Sequence, residues 1–203
     1  DCLYTGCVPS KALLRSARLL AEMAKSDQLG IRSAQAEFDF ADVMARVQRV
    51  VGDVAPRDSV ERYTSLGVEC LEGEATIVSP WEVEVQTANE RQSFTTRSIV
   101  IAAGARPFVP SIPGIKDVGY VTSDTVWKLQ ELPRRLLVLG GGPVGSELAQ
   151  AFARFGSRVT QVERLPRILN REDSEVSLAV MERFNSEGID VCTEHEAKRF
   201  LLE

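Results

Sequence analysis

Apolar residues in the first part of this chain return at the spacing of helix turns. Leu13, Leu14, Leu19, Leu20 and Met23 stand among charged positions and predict an amphipathic helix over 8–26. Pro9 falls in its first turn, where a missing N–H is tolerated, and Gly30 follows it. Phe40, Val43, Met44, Val47, Val50, Val51 and Val54 repeat the pattern over 39–66, where Pro56 should kink or split the helix. After Gly67 the period drops to two. Residues 68–71, 75–78 and 83–85 read as short strands, with a turn at Ser79-Pro80 and a further strand over 93–96. The continuous apolar run 99–103, ending at Gly104, suits a strand buried on both faces.

Residues 106–116 hold Pro107, Pro110, Pro113 and Gly114 and read as a crossover. Beyond it the pattern alternates: strand 136–139, helix 143–155, strand 158–162, helix 174–187, strand 189–192. This β-α-β-α-β order implies an α/β fold with a parallel sheet.

Composition narrows the function. Lys and Arg number 24 against 29 Asp and Glu, a net charge of −5, with the signs interspersed. A nucleic-acid binder would carry a basic face. No apolar run approaches the roughly 20 residues that span a bilayer, and no basic-then-apolar leader opens the chain. The expectation is a soluble, cytoplasmic protein with neither nucleic acid nor membrane as partner. The chain opens at Asp1-Cys2 and closes just past a predicted strand, so it reads as an internal fragment of a longer protein.

Gly140-Gly141-Gly142-Pro143-Val144-Gly145 has the spacing Gly-x-Gly-x-x-Gly between a strand and a helix. Gly140 permits the tight turn, Gly142 lets a pyrophosphate approach the backbone, and Gly145 lets helix and strand pack closely. The helix N-terminus offers free N–H groups to phosphates. Glu163, ending the next strand, would accept both ribose hydroxyls and repel a 2′-phosphate, which favours NAD(H). Arg164 and Arg167 keep NADP(H) open, and the bland alternative for Glu163 is a solvated strand end.

Cys2 and Cys7 flank Leu3-Tyr4-Thr5-Gly6 just ahead of the first helix. Gly6 allows the backbone angles that bring two sulfurs together. Cys7, near the helix N-terminus, gains from the macrodipole as a thiolate. Zinc would need two further ligands, yet Cys70 and Cys192 are distant and His195 is the only histidine. Spacing alone leaves a redox pair and two inert thiols both open. Cys70 and Cys192 lie in strand patterns and read as buried structural thiols.

Taken together, these residues resemble the pyridine nucleotide–disulfide oxidoreductases, the family of dihydrolipoamide dehydrogenase, glutathione reductase and mercuric reductase. Cys2, Gly6, Cys7, Pro9, Ser10 and Lys11 are similar to that family's redox motif. Residues 99–104 with Arg106-Pro107 and Pro113-Gly114 resemble its second flavin segment, and Gly73-Glu74-Ala75 falls at an expected backbone contact. The resemblance covers essentially the whole chain. It implies parts of two Rossmann-like domains: 1–116 for FAD, containing a small antiparallel meander, and 117–203 for NAD(P).

It also implies roles. Cys2 and Cys7 would be the catalytic sulfurs, Cys7 nearer the flavin and Cys2 the interchange thiol. Lys11 would pair with Glu147 beside the flavin ring. By periodicity Glu147 sits at the edge of a stripe of Val144, Leu148, Ala151, Phe152 and Phe155, where the bland alternative is a surface glutamate. Ala75, Ala103, Gly104 and Ala105 would line the flavin. Gly140, Gly142, Pro143, Val144, Gly145 and Glu163 would hold the dinucleotide. Electrons would pass between NAD(H), FAD and the disulfide. Asp1 and Tyr4 depart from the family pattern, at positions where Thr and Asn are common.

The implied full-length protein is a homodimer acting on a small disulfide or dithiol, dihydrolipoamide first. The alternatives are a metal ion, as in mercuric reductase, and a non-catalytic nucleotide-binding module with inert thiols. The resemblance places the first flavin glycine loop before Asp1 and a His–Glu acid/base pair after Glu203. It reads His195 as a surface residue and predicts that the fragment alone does not turn over.

Overall fold

In a computed structural model that describes residues 2–202, the first amphipathic stretch forms α1 (Cys7–Met23). Asp1, one of the two departures from the family pattern, lies outside the described residues. α1 gives way to a 3-10 turn at Ser26–Leu29, closed by Gly30. The second stretch forms α2 (Phe40–Val54), a 3-10 turn at Ala55–Asp58 and α3 (Val60–Ser65). The break falls at Pro56, as the missing N–H requires. Ser59 caps α3 by accepting the Arg62 N–H at 3.2 Å.

The chain forms two compact units, Asp53–Ala105 and the remainder. Within the larger unit, α1 packs on the glycine-loop helix. In Asp53–Ala105, β1 (Glu74–Ser79), β2 (Glu82–Gln86) and β3 (Arg91–Thr95) form an antiparallel meander. The Ser79-Pro80 turn joins the first two, and Ser79 Oγ accepts the Trp81 N–H at 3.2 Å.

The expected strands at 68–71 and 99–103 do not form. A strand is defined by its ladder, and no described strand pairs with either segment. Val100 and Ile101 are accordingly 87% and 76% exposed.

The other unit holds β4 (Arg135–Leu139), α4 (Pro143–Phe155), β5 (Arg158–Val162), α5 (Ser174–Ser186) and β6 (Asp190–Cys192). The three strands are parallel, in the order β4-β5-β6, with Leu137 opposite Thr160 and Gln161 opposite Val191. This is the alternating order read from the sequence. α4 packs on β4 and β5, and α1 packs on α4.

The buried positions on the two helices are largely small: Ala12, Leu13 and Ala17 on α1, Ala149 and Ala151 with Phe152 and Phe155 on α4. Small side chains let two helices approach closely. Leu19, expected in the buried stripe, is exposed instead, and alanines take that place. Phe40 of α2 meets the rings of Phe152 and Phe155, each at 5.7 Å between centroids. Burying a side chain such as Phe152 stabilises the unit by about 2 kcal/mol. The proline-rich crossover is tied to the C-terminal segment, where the Phe200 N–H donates to Pro113 O at 2.8 Å.

Candidate active site

Cys2 and Cys7 are joined as a disulfide, their Cα atoms 4.7 Å apart. Cys7 is the first residue of α1, and Gly6 is its N-cap. The loop closes on itself through the Val8 N–H, which donates to Cys2 O at 2.9 Å. Ser10 Oγ donates to Cys7 O at 3.2 Å. Both cysteines and Tyr4 are exposed residues.

One turn into α1, Lys11 Nζ donates to both carboxylate oxygens of Glu147, at 2.6 and 2.7 Å. The two residues lie far apart in sequence and meet because their helices pack. The pairing expected from the resemblance is thus present. Val144, placed in the same buried stripe by periodicity, is exposed. It sits in the first turn of α4, at the end where a dinucleotide would approach.

The glycine loop is built as its spacing demands. Gly140 has φ +103°, a conformation that disfavours other residues. A Cβ on Gly145 would lie 2.8 Å from Gly140 O, and one on Gly141 would lie 2.8 Å from Ile168 Cγ2. A Cβ on Gly142 would meet nothing within 4 Å, and Gly142 is exposed. α4 begins with Pro143, has no side-chain cap and has no acid in its first turn. That end therefore keeps an open backbone face and a partial positive charge, which fits a pyrophosphate.

Glu163 is not a solvated strand end. Its Oε2 accepts the Gly141 N–H at 2.6 Å and its Oε1 accepts the Leu165 N–H at 2.8 Å. The carboxylate ties β5 to the glycine loop and retains lone pairs for further donors. Arg164 is exposed, and Arg167 donates to Asn170 O at 3.2 Å.

Two residues escaped the sequence reading. Gln161 is fully buried on the inward face of β5, beside Val159. Its Nε2 donates to Gly140 O at 2.9 Å and to Ser146 Oγ at 3.2 Å, fastening the loop from below. The signal was a polar residue on the apolar side of a period-two strand. Trp127, in a 3-10 turn at Val126–Lys128, is buried and donates its indole N–H to Thr5 O at 3.1 Å. A tryptophan in an otherwise patternless stretch was its only mark.

The other expected residues are each placed within their own unit. Ala75 lies in β1, and Ala103, Gly104 and Ala105 follow the exposed residues 100–102. A Cβ on Gly73 would lie 2.5 Å from Gln86 O, so that turn requires glycine. Cys70 and Cys192 are half-buried, not buried, and only Cys192 lies in a strand. Partial burial, with the Asp190 carboxylate beside it, pushes the Cys192 thiol up. His195 is exposed, with Nδ1 2.6 Å from Thr193 O. No described helix is long and apolar enough to cross a membrane.

A family model described as pyridine nucleotide-disulphide oxidoreductase matches residues 1–201. Mercuric reductase of Streptomyces lividans is 39% identical, covering 95% of this chain and 41% of its own length. Dihydrolipoyl dehydrogenase of Bacillus subtilis (strain 168) is 33% identical over 95% of the chain and 42% of its own length. Among solved structures, the HOCl-induced flavoprotein disulfide reductase RclA from Escherichia coli superposes with a TM-score of 0.73 at 27% identity, covering 98% of this chain and 41% of RclA. The chain thus spans about two-fifths of the length of these three proteins.

Proposed function

The chain belongs to the pyridine nucleotide-disulphide oxidoreductase family, and we propose that it is part of a flavoprotein that moves electrons between NAD(H), FAD and the Cys2–Cys7 disulfide. The observation that carries this reading is the juxtaposition at α1. An exposed disulfide opens the helix, and Lys11, one turn on, is clasped by a glutamate of the glycine-loop helix.

In this reading the two domains are 1–116 for FAD and 117–203 for NAD(P). Gly140, Gly142, Pro143, Val144 and Gly145 hold the dinucleotide against the α4 N-terminus. Glu163, anchored to Gly141 and Leu165, presents its remaining lone pairs to the ribose diol, which favours NAD(H). Ala75, Ala103, Gly104 and Ala105 would hold the flavin nucleotide. The flavin, when bound, supplies the two-electron chemistry that links nicotinamide to disulfide. Lys11 places a positive charge beside it, held in position by Glu147. Cys7 gains thiolate character from the helix N-terminus, and Cys2 exchanges with the substrate.

The substrate proposed is a small dithiol of the dihydrolipoamide type, processed by a homodimer. A metal ion is the second reading, favoured by the 39% identity to a mercuric reductase. Anaerobic titration of the full-length protein with NADH tests the core of the proposal. Alkylation after each addition should find Cys2 and Cys7 newly free together, while Cys7→Ser abolishes the long-wavelength thiolate-to-flavin band. A disulfide that stays closed as NADH is consumed would sink the reading.

A further inference from the structure

We propose that Trp127 is a positioning residue for the redox pair: its indole N–H holds the loop between Cys2 and Cys7 in one shape whether the sulfurs are joined or free. The inference rests on the reading of Cys2–Cys7 as a reversible disulfide.

Reduction removes the one covalent link in that loop. Hydrogen bonds to its backbone remain, among them two that differ in reach. The Val8 N–H to Cys2 O bond, at 2.9 Å, is internal to the loop and the first turn of α1. The bond from Trp127 Nε1 to Thr5 O, at 3.1 Å, instead fastens the middle of the loop to a segment remote in sequence.

The anchor is itself fixed. Trp127 is 5% exposed and belongs to the same apolar cluster as Ala12 and Leu13 of α1. Its N–H is shared with Ser123 O at 2.6 Å, and its carbonyl accepts from Gln48 Nε2 of α2 at 3.4 Å. The turn that carries it is closed by the Val126 N–H to Thr122 O bond at 2.9 Å and by the Thr122 N–H to Thr125 Oγ1 bond at 2.8 Å. A ring held this way does not follow the loop; the loop is held to the ring.

The consequence is an effective concentration. Two thiols kept in the geometry of their disulfide re-form it readily, so the pair is harder to reduce. Trp127→Phe keeps the packing and deletes the donor. The experiment equilibrates the full-length protein with buffers of reduced and oxidised dithiothreitol. One reagent dithiol passes two electrons and two protons to the Cys2–Cys7 bond, giving two protein thiols and the cyclic disulfide. Acid quench, alkylation and mass analysis of the Cys2–Cys7 peptide then give the midpoint.

Loss of one shared hydrogen bond should move half-reduction of Trp127→Phe to a ratio of reduced to oxidised reagent about threefold lower than wild type. An unchanged midpoint in the variant, with a reversible wild-type pair, overturns the role of Trp127 and leaves the redox reading intact. A wild-type pair that never reaches equilibrium with the reagent overturns the redox reading itself, and this inference with it. A second measurement needs no variant. In protein labelled with ¹⁵N-tryptophan, the Trp127 indole proton should exchange slowly in both oxidised and reduced states, against Trp81, which is 61% exposed, as the fast reference. Fast exchange of Trp127 after reduction would overturn the tie.

Discussion

Lys11 and Glu147 meet at 2.6 and 2.7 Å, yet their side chains are 60% and 38% exposed. An ion pair open to water contributes little to stability, since solvent screening and the ordering of two long side chains offset most of the attraction. A pair so well formed and so weakly stabilising has its use elsewhere, in holding a charge at a fixed place. Glu147→Gln should therefore leave the melting temperature near that of wild type. It should slow flavin reduction by NADH in the full-length protein about tenfold, as loss of a charge-assisted hydrogen bond would. Stopped-flow absorbance checks this, and unchanged reductive kinetics would remove the role. Periodicity placed Glu147 only at a stripe edge; its partner was legible solely through the family resemblance, because a contact between remote helices has no local signature. Glu163 was legible from the motif, but its bond to Gly141 was not. Trp127 and Gln161 lay outside any motif, and their roles come from bonds to backbone carbonyls, which sequence does not display.

At the scale of elements, local pattern located most of what has its partners within the chain. The boundaries of α4 and β5 match the reading from periodicity and glycine spacing. The failures at 68–71 and 99–103 share a cause: an alternating or continuous apolar run states a capacity to pair, and pairing needs a neighbour. How α4 and α5 are joined was not legible at all. Glu187, just past the end of α5, accepts from Arg154 Nε and Nη2 at 2.9 and 2.8 Å, from Arg183 Nε at 2.6 Å and from Gln150 Nε2 at 3.1 Å. Burial alone would raise this carboxyl, but the bonds and charge of Arg154, with Arg183 and Gln150, more than offset it and hold it below its ordinary 4.5. A carboxyl lowered in the folded state contributes stability above its unfolded value and loses it as pH falls through the folded one. Wild type should lose this contribution as the pH falls below about 4.5. Glu187→Gln should cost about 2 kcal/mol near neutral pH and show a flatter acid limb. Urea melts at several pH values would expose a variant that keeps the full acid slope, which would mean the carboxylate is not the linked group.

For the whole molecule, the arrangement divides the work between what this chain holds and what it leaves exposed. It holds the disulfide, the Lys11–Glu147 pair and the complete glycine loop with its Glu163 tie. It also presents an apolar run at Val100 and Ile101 with no described strand beside it, directly before the Ala103-Gly104-Ala105 segment assigned to the flavin. The relatives it matches are more than twice as long. The 203-residue chain by itself should therefore show no NADH-dependent reduction of a small disulfide, while the full-length protein does. Because the glycine loop and its tie to Glu163 lie in one unit with their supporting strands, the isolated chain should nevertheless retain weak affinity for ADP-ribose. Calorimetry with ADP-ribose alongside a turnover assay separates the two properties. Turnover by the isolated chain would show that two-fifths of the relatives' length suffices for the reaction, and absence of both binding and turnover would place the weakness in the glycine loop itself.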